Sequence, residues 1–403
     1  MSPVRSRSVL AVLSIVSTIT WVLTLFGEVW GGVDELVAGG GAPNSRFARG
    51  SRFTFMGSAT PPPPRLHVFM PINQAVAGRR FCRSYLSAVV NGYEPVLYNW
   101  DLEGSNREMQ KAKIAGTFRS PASISLGKAL TIGSGLRDVL DSYLVDAEGS
   151  DYVLLADAMD IWFQLSPSFL VNRFNELDAE VVIGVDKMCW PNDLASPDCT
   201  NVPESPLPSW VYANFSEGTH ACNPLTKNRV GAPRWANSGT VMGQLQHMRP
   251  LFHTLAEIID SPSYASDNDQ AAFNILLSQG RLAVDPRYRM FWSSAFDTSS
   301  VVWMNTPYRP DDIPDRITPW KLYPPLAHHM LTGEVPVVVH LNDVPSKHLL
   351  EDWWGKSWFS NPLPEFQEIV RHRVRNATLR VATAGEMREI PLEQVCRDHL
   401  DYW

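Results

Sequence analysis

The sequence predicts an α/β domain, a Rossmann-type mixed sheet flanked by helices, behind an N-terminal transmembrane anchor. Three observations carry this. An unbroken apolar run, 152–156, leads straight into Asp157 and Asp160. Strand-like and helix-like segments alternate from residue 66 onward. A stretch without charge, residues 9–27, stands near the start of the chain.

The anchor comes first. Nineteen residues at about 1.5 Å each span roughly 28 Å, one hydrocarbon core. Arg5 and Arg7 lie in the segment 1–8, and Glu28, Asp34 and Glu35 lie beyond the apolar run. Positive charge before and acid after place 1–8 in the cytosol and the remainder in the lumen, a type II protein of the Golgi or endoplasmic reticulum membrane. A cleaved signal peptide is the rival. Its apolar region ordinarily runs about 7–15 residues to a small-residue cleavage site, and no such site is evident. Residues 28–64 are rich in Gly, Ser and Pro and end in four prolines, 61–64. They read as a stem, flexible first and stiff at its end.

Composition bounds the rest. With 44% hydrophobic and 19% charged residues, the 403-residue chain is globular, with room for one or two domains. A net charge of −7 without a basic run argues against a nucleic-acid partner. The 14 tryptophans hint at a carbohydrate or interface surface. The five cysteines, Cys82, Cys189, Cys199, Cys222 and Cys396, form no C-x-x-C, which argues against a zinc knuckle. Cys189, Cys199 and Cys222 surround a Pro/Ser/Asn-rich loop, a natural place for a disulfide. The odd count leaves at least one thiol free or paired between chains, and five buried apolar cysteines is the other reading.

The folded domain is expected over 65–358, with 359–403 a charged, helical C-terminal tail. Residues 66–72 predict a first strand, 79–91 a helix with apolar residues at helical spacing, and 96–98 a second strand. Leu136, Val139, Leu140, Tyr143 and Leu144 mark another helix. The run 152–156 predicts a strand buried on both faces, and 180–185 the next. This order is the beginning of a nucleotide-binding sheet. Neither G-x-G-x-x-G nor G-x-x-x-x-G-K-[ST] is present, so neither NAD nor P-loop chemistry is indicated. A Pro- and Ser-rich insertion, 186–234, is followed by helices at 248–259 and 270–277. A last strand, 335–339, ends in His340. The sequons at Asn214 and Asn376 agree with a lumenal domain.

Carboxylates directly after a buried strand sit where open α/β sheets bind ligands. Two of them beside Trp162 and Phe163 repel unless a cation lies between, and a divalent metal is the simplest one. Taken alone, the same residues read equally well as a turn cap and a water-facing side chain. A histidine ending a strand is by itself more often a packed core residue, and Asn237-Ser238-Gly239 by itself is a turn. Asp267 and Asp269 by themselves suggest a helix N-cap, with Asp269 just before Gln270.

Five stretches in order change the weighting: Asp157-Ala-Met-Asp160, Met188-Cys189-Trp190-Pro191, Trp235-Ala-Asn237-Ser238-Gly239, Ser266-Asp267-Asn268-Asp269-Gln270 and His340-Leu-Asn342-Asp343-Val-Pro-Ser-Lys347. Together, over about 65–355, they resemble the glycosyltransferase domain of procollagen lysyl hydroxylases. That resemblance implies a GT-A fold and a Mn²⁺ ion, or other divalent cation, held by Asp157, Asp160 and His340. It implies a UDP-sugar donor and a protein or glycan acceptor. On the donor side it implies Lys113, Trp190, Asn237, Ser238, Asn342 and Lys347, with Met70 and Tyr98 placed beside the uridine by position. As catalytic candidates it implies Asp267 and Asp269, for the acceptor-side base or a donor hydroxyl, and Asn237, hydrogen-bonded to the sugar. The chain departs from the family at Leu341 and Asp343, where the family has glycines, and it shows no obvious Gly-rich segment after the second strand. The dioxygenase domain of the lysyl hydroxylases is absent; His399-Leu-Asp401 has no second histidine downstream.

The reading from sequence is therefore a membrane-anchored, metal-dependent glycosyltransferase moving a hexose from a UDP-sugar. A catalytically inactive relative that binds a glycan or protein is the alternative. A hydrolase with two metals about 3.5–4 Å apart would need more ligands than this pattern offers.

Overall fold

Strand β1 (Leu66–Pro71) leads into helix α1 (Arg79–Val90) and back into β2 (Pro95–Tyr98), close to the expected bounds. The computed structural model describes residues 63–102, 113–114, 135–212, 231–264, 266, 268–305, 325–360, 362, 364–383 and 386–400. Helix α2 (Leu136–Tyr143) precedes β3 (Tyr152–Ala156), in which all five residues are buried. A short strand β4 (Ile161–Phe163) follows Asp160, then α3 (Pro167–Asn175) and β5 (Val181–Asp186). Strand β6 (Trp235–Gln244) runs directly into α4 (Leu245–Asp260), and α5 (Asp269–Ser278) leads to β7 (Ala283–Val284). Strands β8 (Phe291–Ser293), β9 (Val301–Asn305), β10 (Pro325–His329) and β11 (Val338–His340) precede α6 (Val344–Trp354). The chain ends with α7 (Pro364–Arg375), β12 (Thr378–Thr383), β13 (Glu386–Pro391) and α8 (Leu392–Cys396).

The principal sheet has the order β13-β12-β2-β1-β3-β6-β5-β7. It is mixed. Strands β2, β1 and β3 are parallel, whereas β6 runs antiparallel between β3 and β5. Alternation along β3 explains the double burial: Leu154 and Ala156 face one apolar cluster, Val153 and Leu155 the other. The first cluster joins the sheet to α1, α6 and α7 through Phe81, Tyr85, Trp353 and Val370. The second joins it to α2, α4 and α5 through Leu140, Phe252 and Phe273.

Three findings go beyond the sequence reading. The segment 235–244, in which 237–239 taken alone read as a turn, is a full strand, because its residues complete a ladder on both sides. The segment 359–403, expected as a separate helical tail, is helical over α7 and then supplies β12 and β13 to the sheet, with β12 parallel to β2. Apolar Leu379 and Val381 are buried in the first cluster, and β12 covers the backbone edge that β2 would otherwise expose. Among the described tryptophans, Trp100, Trp162, Trp292, Trp353 and Trp358 are fully buried, and Trp292 stacks on Trp353 at 6.0 Å.

Two disulfides brace the domain. Cys82–Cys396 ties α1 to α8, and Cys189–Cys199 staples the loop after β5; Cys222 lies outside the described residues. A buried ionic knot adds a second brace. Lys187 Nζ lies 3.0 Å from Asp297 Oδ1 and donates to the carbonyls of Ser293 and Ala295. Asp297 also accepts from Tyr212 Oη and Trp292 Nε1 and pairs with His329 Nε2 at 3.1 Å. Burial works to raise the Asp297 carboxyl, but Lys187 and His329 outweigh it and hold it below the usual carboxylate range.

No helix among the described residues is long and apolar enough to cross a membrane; the expected anchor, 9–27, and stem, 28–64, lie outside them but for Pro63 and Pro64. The described residues belong to one unit, Pro62–Trp403.

Cys82→Ser and Cys396→Ser should each lower unfolding stability by about 2–4 kcal/mol, because the bridge removes loop entropy from the unfolded chain. Denaturant titration measures this, and the double variant should cost no more than either single one.

Candidate functional site

The site forms where the topology reverses. Parallel β1, β3 and β5 all end at one edge of the sheet, and β11 of the small β4-β11-β8 sheet ends beside it. Strand β6 runs the other way, so its beginning reaches that edge. Asp186 stands opposite Trp235, and Ala156 opposite Thr240. Residues 237–239 therefore lie beside Asp157 and Asp186. The Asp157 amide donates to the Gly239 carbonyl at 2.9 Å, extending the β3–β6 ladder to the metal candidate itself. A register shift after Ile183 accommodates the crowding. A Cβ on Gly184 would lie 2.6 Å from Thr240 Oγ1, so only glycine lets the strands approach there.

Asp157, Asp160 and His340 converge as expected. One ligand atom from each lies within 4.8 Å of the others. His340 Nε2 is 3.7 Å from Asp157 Oδ2 and 3.4 Å from Asp160 Oδ1. The Leu341 amide donates to the Asp160 carbonyl at 2.8 Å, which locks the two strand ends together. The His340 ring lies against Gly239, where a Cβ would sit 2.1 Å from its Cε1.

Cations occupy the flanks. Lys347 Nζ is 2.9 Å from Asp160 Oδ2. Lys113 Nζ donates to Asp157 Oδ1 at 2.8 Å and to the Ser238 carbonyl at 2.6 Å, and it lies 3.1 Å from Asp269 Oδ2. Burial would raise the Asp160 carboxyl, yet His340 and Lys347 hold it well below the usual range. Burial would likewise lower Lys113 and Lys347, but their aspartates keep both above the ordinary lysine value. Burial is the largest influence on Asp186 and Asp269, and both carboxyls sit above the usual range.

A cleft of about 410 Å³ opens over these groups. Four carboxylates, from Asp157, Asp160, Asp186 and Asp269, line it against two ammoniums, from Lys113 and Lys347. Clustered oxygen ligands with one imidazole, short of positive charge, suit a divalent cation of the Mn²⁺ type. The residues present thus fit the metal.

The other expected site residues divide. Trp190, Asn237, Ser238, Asn342 and Asp269 all line the cleft. Trp190 is 39% exposed, and its carbonyl accepts from Gln270 Nε2 at 2.7 Å. The helix N-cap is Asn268, whose side chain accepts from the Gln270 amide. Asp269 instead turns inward and accepts from Ser238 Oγ at 3.2 Å. Asp267 lies outside the described residues. Met70 and Tyr98 do not reach the cleft: both are fully buried, on opposite faces of the sheet, because their place on the alternating strands points them into its cores. Tyr98 Oη donates to the Lys113 carbonyl at 3.1 Å, and Pro71, Ile72 and Asn73 line the cleft in their stead. Lys113, expected on the donor side, lines the cleft and there pairs with Asp157 and Asp269. Asp186 was missed. It ends a buried strand as Asp157 nearly does, and the same signal would have found it.

No family model matches the chain, and no curated protein matches it. Similar solved structures are glycosyltransferases. One, involved in the glycosylation of the major capsid of PBCV-1, is 10% identical, with 71% of this chain and 99% of that chain covered and a TM-score of 0.32. GlyE of Streptococcus pneumoniae TIGR4 is 12% identical over 76% of this chain and 63% of its own, with a TM-score of 0.35. The bifunctional glycosyltransferase WbbM is 11% identical over 77% of this chain and 50% of its own, with a TM-score of 0.32. At these scores the likeness decides nothing about this chain, and the functional reading rests on the site.

Gly239→Ala should drive the His340 ring out of the ligand set. We expect about 1–3 kcal/mol of lost stability, read by denaturation, together with loss of Mn²⁺ binding in a calorimetric titration.

Proposed function

We propose that the protein is a divalent-cation-dependent glycosyltransferase of the procollagen lysyl hydroxylase type, with a GT-A fold, that moves a hexose from a UDP-sugar to a protein or glycan acceptor. The observation that carries this reading is the convergence of Asp157, Asp160 and His340 in a cleft where carboxylates outnumber ammoniums. These three residues would hold the cation. When bound, the cation would neutralise the diphosphate as the leaving group gains charge.

The chain's own residues divide the remaining work. Lys347, partly exposed at the first turn of α6, supplies a point charge for the terminal phosphate of the nucleotide. Lys113 stays with Asp157 and Asp269 and offsets their repulsion. Asp269, with its carboxyl raised by burial, is the residue we place on the hydroxyl side, where a base of moderate strength is needed. Trp190 offers a ring face to a sugar at the cleft wall.

We also propose a type II placement in the Golgi or endoplasmic reticulum membrane, with residues 9–27 as the anchor and the catalytic domain in the lumen. Two disulfides support it, since they form and persist in oxidising compartments. Asn376, exposed between α7 and β12, presents its sequon to solvent.

Asp160→Ala should abolish Mn²⁺-dependent hydrolysis of UDP-sugar by the purified chain, read as UDP release; unchanged release removes the metal assignment. A thermal-shift series with Mn²⁺ and UDP-glucose, UDP-galactose, UDP-xylose or UDP-GlcNAc should show stabilisation by at least one of them. Stabilisation by none favours the inactive binding module. Chain made through a eukaryotic secretory pathway should lose mass on endoglycosidase treatment, and Asn376→Gln should reduce that loss. No shift in either counts against the lumenal placement.

A further inference from the structure

Asn237 entered the sequence reading as a sugar ligand, yet its amide is spoken for at both ends. Its Oδ1 accepts from the Gly239 backbone amide at 3.1 Å, and its Nδ2 donates to Asp186 Oδ2 at 3.1 Å. A backbone N–H only donates, and an ionised carboxylate only accepts. The Gly239 contact alone therefore sets which way the amide points, and the Asp186 contact agrees with it. The same Oδ1 lies 2.8 Å from His340 Nδ1. An acceptor so placed requires a proton on Nδ1, which leaves Nε2 as the ring atom for a metal. That atom faces Asp157 and Asp160 at 3.7 and 3.4 Å. Nε2 and one oxygen of each carboxylate converge, and the arrangement suits a cation between them.

We infer that Asp186 and Asn237 form a relay that fixes the tautomer and ring plane of His340 for metal binding, so that Asn237 is a positioning residue rather than a sugar ligand. The relay is anchored at its far end. Asp186 Oδ2 also accepts from Asn342 Nδ2 at 3.2 Å, and its Oδ1 accepts from the Lys187 amide at 2.7 Å. Asn342 in turn is oriented by the Ala295 amide, which donates to its Oδ1 at 2.8 Å. Gly239 completes the cradle, since the imidazole occupies the space a side chain there would fill. The Asn237-Ser238-Gly239 stretch thus serves the metal histidine from two directions, by hydrogen bond and by clearance. Partners that orient a ligating imidazole ordinarily contribute 10–100-fold to metal affinity.

The inference rests on the proposed metal site, and the test separates the two. Mn²⁺ alone is titrated calorimetrically into the full chain, its Asn237→Ala variant and its Asn237→Asp variant. Asn237→Ala should weaken binding about 10–100-fold. Asn237→Asp keeps the acceptor toward His340 and should recover part of that loss. A long-range ¹H–¹⁵N spectrum of the metal-free, ¹⁵N-histidine-labelled chain, with His340 assigned by His340→Gln, should show the proton on Nδ1. In Asn237→Ala the two tautomers should mix. Equal Mn²⁺ affinity in the wild type and Asn237→Ala, or a wild-type His340 protonated on Nε2 alone, overturns the relay. Failure of the wild type to bind Mn²⁺ overturns the metal site, and the relay with it.

Discussion

Like charges gathered at one edge of a sheet set the terms for everything around this cleft. Two carboxylates within 4.8 Å of each other repel by about 3–4 kcal/mol at an effective dielectric near 20. Four line the cleft, three of them buried. The fold meets that repulsion with Lys113 between Asp157 and Asp269, with Lys347 on Asp160, and with amide donors on Asp186. These partners leave one oxygen of Asp157, one of Asp160 and one nitrogen of His340 facing a common point. A cation there would complete the balance.

The reversal of β6 makes the gathering possible. In an all-parallel sheet the beginning of that strand would lie at the opposite edge, away from every other candidate residue. Running antiparallel, it delivers Asn237, Ser238 and Gly239 to the ends of β3 and β5. At Gly184 and Gly239, beside the cleft, the crowding leaves no room for a side chain.

Outside the cleft, the Lys187–Asp297–His329 knot holds the 293–297 loop against β5, and that loop orients Asn342. Lys187 is adjacent to Asp186 in sequence, so one strand end carries both the interior brace and the relay toward His340. A buried pair of this kind is costly to break from one side, because the remaining charge has no solvent. The C-terminal strands and the Cys82–Cys396 bridge play the same bracing part on the other side of the sheet.

Much of this was legible in the sequence. Continuous apolar runs ending in carboxylates located β3 and the Asp157–Asp160 pair, and helical spacing located α1, α2, α4 and α5 to within a few residues. Local pattern suffices there because strand and helix periodicity act over neighbouring residues. The sequence could not place Met70 and Tyr98, since which face a strand residue takes depends on register. It could not show that Lys113 pairs with Asp157 and Asp269, or that Asn237 reaches His340 and Asp186. Those contacts, of 2.8 to 3.1 Å, join groups 44 to 156 positions apart in the chain. Composition and order of motifs determined the ligand types. Only the direction of β6 and the packing of His340 on Gly239 decided that they meet at one point, because strand direction and close approach belong to the assembled sheet and to no local stretch.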